Sequence, residues 1–509
     1  MNGPLGNNSS LGLDAFFQYL GSGVQFFSGT VFYLIIIKIF DTSYVGAISL
    51  FTAIIGLFNV IFSLGLGTAA QHFTSYSIGR GDFRTAVKTF HKILKYGFAT
   101  SGLGFLTLFL LSPYISFLFL HSYQYIQLVK LLSLVLIGNI LFGILNGTLL
   151  GLRNFRLSAL VNIVIWVTYY FGTVLLAYKV RDLDTIIIGW TIGIFLGVGV
   201  LLAVILIIIK DYESHVSEFK NTNILKYSIP VLLSGLIGYG AIYADRFVVA
   251  GLLNLSSLGV YNLSLLIASS ISFIAVPFNN ILLSLFSELY GNNRLDEIKL
   301  HVRASSAILS SVFVPAALGI SALSPFIVEI LGGSNYLQGS APLAIIMFAS
   351  ALFVTANILS QAVASVRKTK TFIYVSSLSL IANILISFLL IPPYGIIGAA
   401  FGFSSVYAVT YLALMYFARK ERVFSIDLVG TLKIWIASLI MYVAVLSMSF
   451  FFQQTIPFTI IYVFAGVLIY IIMIRVLSVF KNIDSKVVLT LFPVRFRFMR
   501  SLISFFMRD

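Results

Sequence analysis

TIIIGWTIGIFLGVGVLLAVILIIIK, residues 185–210, carries 25 uncharged residues before its closing lysine. An α-helix rises about 1.5 Å per residue, so roughly 20 apolar residues cross the ~30 Å hydrocarbon core of a bilayer. The stretch therefore reads as a membrane crossing with a cationic end. Thirteen runs of the same character flank it: residues 11–37, 44–69, 96–111, 126–150 and 157–178 before it, and 229–252, 258–283, 304–322, 341–363, 372–391, 396–418, 432–452 and 456–473 after it. Strands are not expected, because a membrane strand needs only about 9–11 residues and alternates apolar with polar positions.

Composition points the same way. Of 509 residues, 59% are apolar or aromatic and 10% are charged, with a mean hydropathy of +1.02. Soluble chains carry about 25% charged residues, so a large soluble enzyme is ruled out. The absence of cysteine removes disulfide frameworks, thiol catalysis and Cys-ligated metals. The five histidines, His72, His91, His121, His215 and His301, fall in or beside loops without metal-ligand spacing, and no metal site is expected. No G-x-x-x-x-G-K-[ST], H-E-x-x-H or G-x-S-x-G occurs, so neither ATP hydrolysis nor a catalytic residue set is expected. Residues 1–10 lack a cationic n-region, and the first run is read as a retained helix.

The net charge of +15 has a membrane explanation that needs no nucleic acid. Numbering the runs as spans 1 to 14, the even-numbered connections and the C-terminal segment hold 27 of the 32 basic residues, among them Arg80, Arg153, Lys220, Arg294, Arg367 and Arg419. The opposite loops hold only Lys38, Lys179 and Arg181, while Lys130 and Arg246 fall inside spans. By the positive-inside rule this alternation predicts 14 crossings with both termini cytoplasmic, in the cytoplasmic (plasma) membrane. The stretch 492–509 interleaves Arg495, Arg497 and Arg500 with Phe496, Phe498 and Phe505. It reads either as an amphipathic piece on the inner leaflet, attracting anionic lipid, or as a frayed basic tail.

The chain also matches itself. Val45-Gly46 corresponds to Leu258-Gly259 at an offset of 213, Gly79 to Gly291 at 212, and Leu152-Arg153-Asn154 to Val366-Arg367-Lys368 at 214. Spans 1–6 and 7–12 then form two copies. Six helices per copy is even, so both insert the same way up, which predicts parallel repeats around a central cavity holding a substrate. The expected fold is an all-α polytopic membrane protein with 14 transmembrane helices. Its divisions are a six-helix bundle over 1–210, a second over 211–418, two added helices over 419–480 and a basic cytoplasmic tail over 481–509.

Polar residues inside spans carry the functional signal, since a charge at mid-bilayer costs at least about 2.5–3.5 kcal/mol. Span 1 holds Asp14, Gln18, Ser22, Gln25, Gly29 and Tyr33 at spacings of three and four, hence on one helical face. Lipid does not tolerate such a face; it must meet a water-filled cavity or hydrogen-bond to neighbouring helices. Span 7 has a counterpart in Gly235, Tyr239, Tyr243 and Arg246, with Asp245 beside it. Arg246 lies 213 after Tyr33, so the stripes are read as two walls of one cavity. Asp245 and Arg246 are about 100° apart on a helix and cannot pair face to face; an early end to span 7 would instead leave both at the outer headgroup boundary. Lys38 and Lys130 are read as snorkelling. The glycines at 65, 67, 143, 147, 151, 235 and 240 are read mostly as close-packing positions, Leu64-Gly65-Leu66-Gly67 included.

Two stretches carry a family likeness: FSLGLGTAAQHFTSYSIGRGD, residues 62–82, and DRFVVAGLLNLSSLGVYNLS, residues 245–264. With the 14-span count and the repeat, they resemble the multidrug/oligosaccharidyl-lipid/polysaccharide exporter superfamily, and within it the polysaccharide (Wzx-type) flippases. The resemblance implies two bundles, alternating access and an isoprenoid-linked glycan as substrate. It implies Arg246 as the contact for the anionic phosphate, and Asp245, with Asp14, as ion-coupling residues. Lipid II flippases of the superfamily carry several cavity arginines, whereas Arg246 stands alone here. That difference argues against lipid II or for help from Lys38 and Lys130.

The resulting expectation is a flippase for lipid-linked oligosaccharide, not an enzyme. Gln18, Ser22, Gln25, Tyr33, Tyr239, Tyr243 and Arg246 are the substrate-contacting set, and membrane lipid and the glycan lipid are the partners of a monomer. No cofactor is expected; a proton or Na+ gradient is the candidate coupling source. The alternatives are a cation-coupled multidrug antiporter of the same fold and, further off, a membrane glycosyltransferase or polymerase. The short outer loops at 253–257 and 392–395 leave little room for the latter.

Overall fold

A computed structural model describes residues 8–210, 224–368, 370–451 and 455–481. The apolar runs fold as helices: α1 (Asn8–Ile39), α2 (Thr42–Ser63), α3 (Leu66–Gly79), α4 (Phe83–Leu120), α5 (Ile126–Gly151), α6 (Phe155–Val180), α7 (Leu183–Lys210), α8 (Ile224–Leu252), α9 (Leu255–Gly291), α10 (Leu295–Ala322), α11 (Ser324–Gly332), α12 (Ser340–Ser350), α13 (Phe353–Ser365), α14 (Lys370–Tyr394), α15 (Ile396–Lys420), α16 (Leu428–Phe451) and α17 (Ile456–Val476). Among the described residues, 12 helices are long and apolar enough to cross a membrane, or 13 if the bent pair around α12 and α13 is one span. The remaining expected crossing, 258–283, falls on α9, a 37-residue helix. This is a multi-pass membrane protein. Outward side chains such as Leu175, Ile207, Leu389 and Phe464 are more than half exposed, as hydrocarbon-facing positions should be. The amphipathic reading of 492–509 lies outside the described residues.

By packing, the chain divides into two units, at Gly259 and Val260. In the first unit α5 is central, touching α2, α3, α4, α6 and α7; its apolar circumference suits a helix buried all round. Sequence divided the repeats between 210 and 211, but α8 packs against α2, α3 and α4, so the packing boundary falls inside α9. In the second unit α10 packs on α12, α13 and α16, α14 pairs with α15, and α16 with α17.

Two runs read as single spans are broken. After α2 both Leu64 and Gly65 take left-handed backbone, at φ 49° and 67°, and α3 starts afresh. Hydropathy does not see the break, because leucine and glycine are both at home in a span. The flanking glycines do pack closely: a Cβ on Gly67 would lie 2.8 Å from the Gly143 carbonyl oxygen, and one on Gly147 would collide with the Gly67 carbonyl. Residues 341–363 likewise fold as α12 and α13, bent by 40°.

Left-handed residues recur at the offsets that the sequence landmarks share. Gly81 and Asn293 have φ 74° and 56°, His121 and Gly333 52° and 85°, Arg153 and Arg367 60° and 61°, Arg181 and Gly395 54° and 57°. The offsets are 212, 212, 214 and 214. The turn bonds repeat as well: Asp82 N–H donates to Ser77 O and Arg294 N–H to Leu289 O, both at 2.9 Å. A reciprocal contact within the first unit obeys the same offset. A Cβ on Gly46 would collide with the Leu255 carbonyl, a Cβ on Gly259 with the Thr42 carbonyl, and the Thr42 and Ser256 hydroxyls meet at 2.7 Å.

Candidate functional site

α1 lies along α6, and one end of that contact is polar. Asp14 Oδ1 accepts from Arg156 Nε at 2.6 Å. One turn on, Gln18 Nε2 donates to the Phe155 carbonyl at 2.6 Å, and the Ser22 hydroxyl donates to the Gln18 carbonyl at 3.0 Å. Beyond these, α1, α5 and α6 part around a cavity of about 220 Å³ lined by Gln18, Ser22, Gln25, Asn146, Asn162 and Trp166 among others. Ser22 and Gln25 are exposed there. On the far wall Asn146 Oδ1 accepts from the Ser158 hydroxyl at 3.0 Å and from Asn162 Nδ2 at 2.9 Å.

The sequence predicted one continuous hydrophilic wall on span 1; the structure divides it. Above Gln25 the Tyr170 ring closes on Gly29, where a Cβ would lie 3.2 Å from its hydroxyl. Trp166 stacks on Tyr170, Tyr169 on Trp190, and Phe32 leans on both Tyr170 and Trp190. Tyr33 lies past this aromatic layer, about 12 Å along α1 from Gln25, with its hydroxyl 3.2 Å from Thr52 Oγ1. The cause is that α1 packs chiefly on α6, so most of its stripe meets α6 and not α8.

Tyr33 shares α2 with the other stripe: its hydroxyl meets Thr52, and Tyr239 of α8 donates to the carbonyl of Ala53, the next residue. On α8, Tyr239 and Tyr243 stack with centroids 4.3 Å apart and planes within 7°. The Arg246 guanidinium lies over the Tyr243 ring at 4.2 Å and donates to the Ile242 carbonyl at 3.2 Å. Tyr239 donates to the Ala53 carbonyl at 2.7 Å, which ties the stack to α2. A guanidinium held over a tyrosine stack offers a forked donor to phosphate oxygens, beside the aromatic edges of the pair. Asp245 points elsewhere and is fully buried. α8 runs on to Leu252, and Arg246 stands six residues, about 9 Å, inside its end.

Thus the structure brings Gln18, Ser22 and Gln25 together in one place and Tyr33, Tyr239, Tyr243 and Arg246 in another. Asp14 is engaged with Arg156, and Asp245 is in neither group. Lys130 sits over the Phe109 ring at 5.0 Å, while Lys38 lines a separate, mostly apolar hollow with Tyr178 and Arg181. Sequence reading missed Asn146, Asn162, Trp166 and Tyr170. Their signal was two asparagines seven apart in span 4, Asn139 and Asn146, and the i,i+4 run Asn162, Trp166, Tyr170 in span 5.

Residues 35–341 match the profile of a family described as polysaccharide biosynthesis protein. The chain belongs to that family. No curated protein matches it by sequence. Among solved structures, this polysaccharide biosynthesis protein is similar to the lipid II flippase MurJ in an inward closed conformation, at 20% identity and TM-score 0.62, covering 85% of this chain and 98% of that one. It is similar also to an inward-facing multidrug resistance MATE family transporter of the MOP superfamily, at 13% identity and TM-score 0.61, with 78% and 94% covered. A third is a MOP superfamily transporter from Pyrococcus furiosus, at 13% identity and TM-score 0.55, with 80% and 94% covered. At such identities the likeness is one of fold.

Proposed function

We propose that the chain is a flippase for lipid-linked oligosaccharide, working by alternating access in the cytoplasmic membrane, with no catalytic step of its own. The Tyr239–Tyr243–Arg246 stack carries this reading, in a chain of the polysaccharide biosynthesis family with a transporter fold. Arg246 holds the phosphate that joins glycan to isoprenoid, the tyrosine edges meet sugar rings, and the isoprenoid stays in lipid. Fourteen crossings with cytoplasmic termini, built as two six-helix copies plus two helices, complete the proposal. The recurring left-handed turns and the length of α9 support it. Transport is driven by a proton or Na+ gradient or by the substrate gradient, in a monomer.

A multidrug antiporter of the same fold would need an acidic group facing its cation. Asp14 is held by Arg156 and Asp245 is fully buried, which favours the anionic substrate. In a host whose glycan export depends on this chain, Arg246→Ala should abolish export while the protein still reaches the membrane in folded form. Normal glycan export by that variant would remove Arg246 from the mechanism, and export of cationic dyes without a glycan phenotype would favour the antiporter.

A further inference from the structure

The cavity between α1, α5 and α6 is distinct from the Arg246 stack, and its chemistry is of another kind. None of its lining residues is charged, so an ion there would lack a counter-charge. Amides dominate its polar wall, so a purely apolar guest would leave them unpaired. Its hydrogen bonds have a direction. Asn146 Oδ1 already accepts from Ser158 and Asn162, which leaves the Asn146 NH2 group to donate outward. Gln18 spends its NH2 on the Phe155 carbonyl, which leaves Gln18 Oε1 to accept. Gln25 is exposed and offers both a donor and an acceptor. Trp166 adds an apolar surface. Alternating amide donors and acceptors beside an indole suit a hydroxylated ring, whose O–H groups both donate and accept while its C–H face is apolar. The volume, about 220 Å³, equals roughly seven waters at about 30 Å³ each, room for one pyranose.

The second copy differs at these positions. At the offset of 214 fixed by Arg153/Arg367 and Arg181/Gly395, Asn146, Asn162 and Trp166 correspond to Ser360, Ser376 and Leu380. The two asparagines and the tryptophan are therefore peculiar to the first copy, the one in which α1 packs along α6. Along α1 the cavity lies between Asp14–Arg156 and Gln18–Phe155 on one side and the Trp166–Tyr170 stack on the other.

We propose that this cavity is a monosaccharide subsite, in which Asn146, Gln18 and Gln25 bind the hydroxyls of one uncharged sugar ring against Trp166. It rests on the flippase reading and adds to it: the glycan is read one ring at a time at a position remote from the phosphate contact, which makes these side chains determinants of sugar specificity.

The test uses the full chain in detergent and free glucose, galactose, mannose and N-acetylglucosamine as probes, followed by saturation-transfer difference NMR. At least one sugar should give a saturable signal in the millimolar range. Its apparent Kd should rise at least tenfold in Asn146→Leu, Gln25→Leu and Trp166→Leu and stay unchanged in Gly199→Ala, on the exposed side of α7. Gln25 is exposed, so its variant guards against misfolding of the other two. No saturable signal from any of the four sugars, or a signal unchanged in Gln25→Leu and Trp166→Leu, overturns the subsite, as does saturation by tetraphenylphosphonium in place of sugar. Translocation of lipid-linked oligosaccharide in proteoliposomes separates the two readings. Flipping that needs Arg246 while the sugar signal is absent refutes the subsite alone. A sugar signal without flipping by the wild-type chain refutes the flippase.

Discussion

Arg246 is shaped by its neighbours as much as by its charge. Its guanidinium rests on Tyr243, Tyr243 on Tyr239, and Tyr239 is anchored to α2 through the Ala53 carbonyl. Tyr239→Phe keeps the ring and removes that anchor. It should lower stability by about 1 kcal/mol, seen as a reduced thermal midpoint in detergent, while glycan export persists. Spacings of three and four in the sequence were enough to single out Tyr239, Tyr243 and Arg246, because three polar side chains on one face of an apolar helix form a pattern. Asn146 and Asn162 escaped because their same-face partners, Asn139 seven residues before the one and Ser158 four before the other, make only short patterns of two. The aromatic layer around Tyr170 escaped for a different reason: tyrosine and tryptophan fit a membrane helix whether or not they divide a cavity.

At the scale of helices, what decides the packing is where backbone meets backbone. Gly147 on α5 and Gly67 on α3 approach so closely that a methyl group on Gly147 would overlap the Gly67 carbonyl. Gly147→Ala should therefore cost about 1–3 kcal/mol through overpacking. Gly199, on the exposed side of α7, has nothing within 4 Å of where a methyl group would stand, and Gly199→Ala should be neutral or stabilising by up to about 1 kcal/mol. Thermal unfolding of the two variants side by side checks the contrast. The sequence located these helices well because length and apolarity are properties of a run. It did not locate the breaks at Leu64-Gly65 and between α12 and α13, since a break depends on φ angles that the neighbouring helices impose.

For the molecule as a whole, the pairing of left-handed turns at 81 and 293, 121 and 333, 153 and 367, and 181 and 395 extends a repeat that only three sequence landmarks had suggested. Identities had eroded, but a positive φ recurs at these turns whether the residue is glycine, asparagine, histidine or arginine. What sequence could not give was the packing boundary, because α8 belongs to one copy by order and to the first unit by contact.

The crossing at Gly46 and Gly259 has a practical consequence. Thr42 and Ser256 bring their hydroxyl oxygens within 2.7 Å, and the chain contains no cysteine of its own. The pair Thr42→Cys with Ser256→Cys would place two sulfurs where a bond can form, with no background thiol to blur the result. If transport requires α2 and α9 to separate, oxidation should stop glycan export and a reductant should restore it. Continued export by the oxidised protein would mean that this seam stays shut throughout the cycle, and that whatever moves must move around it.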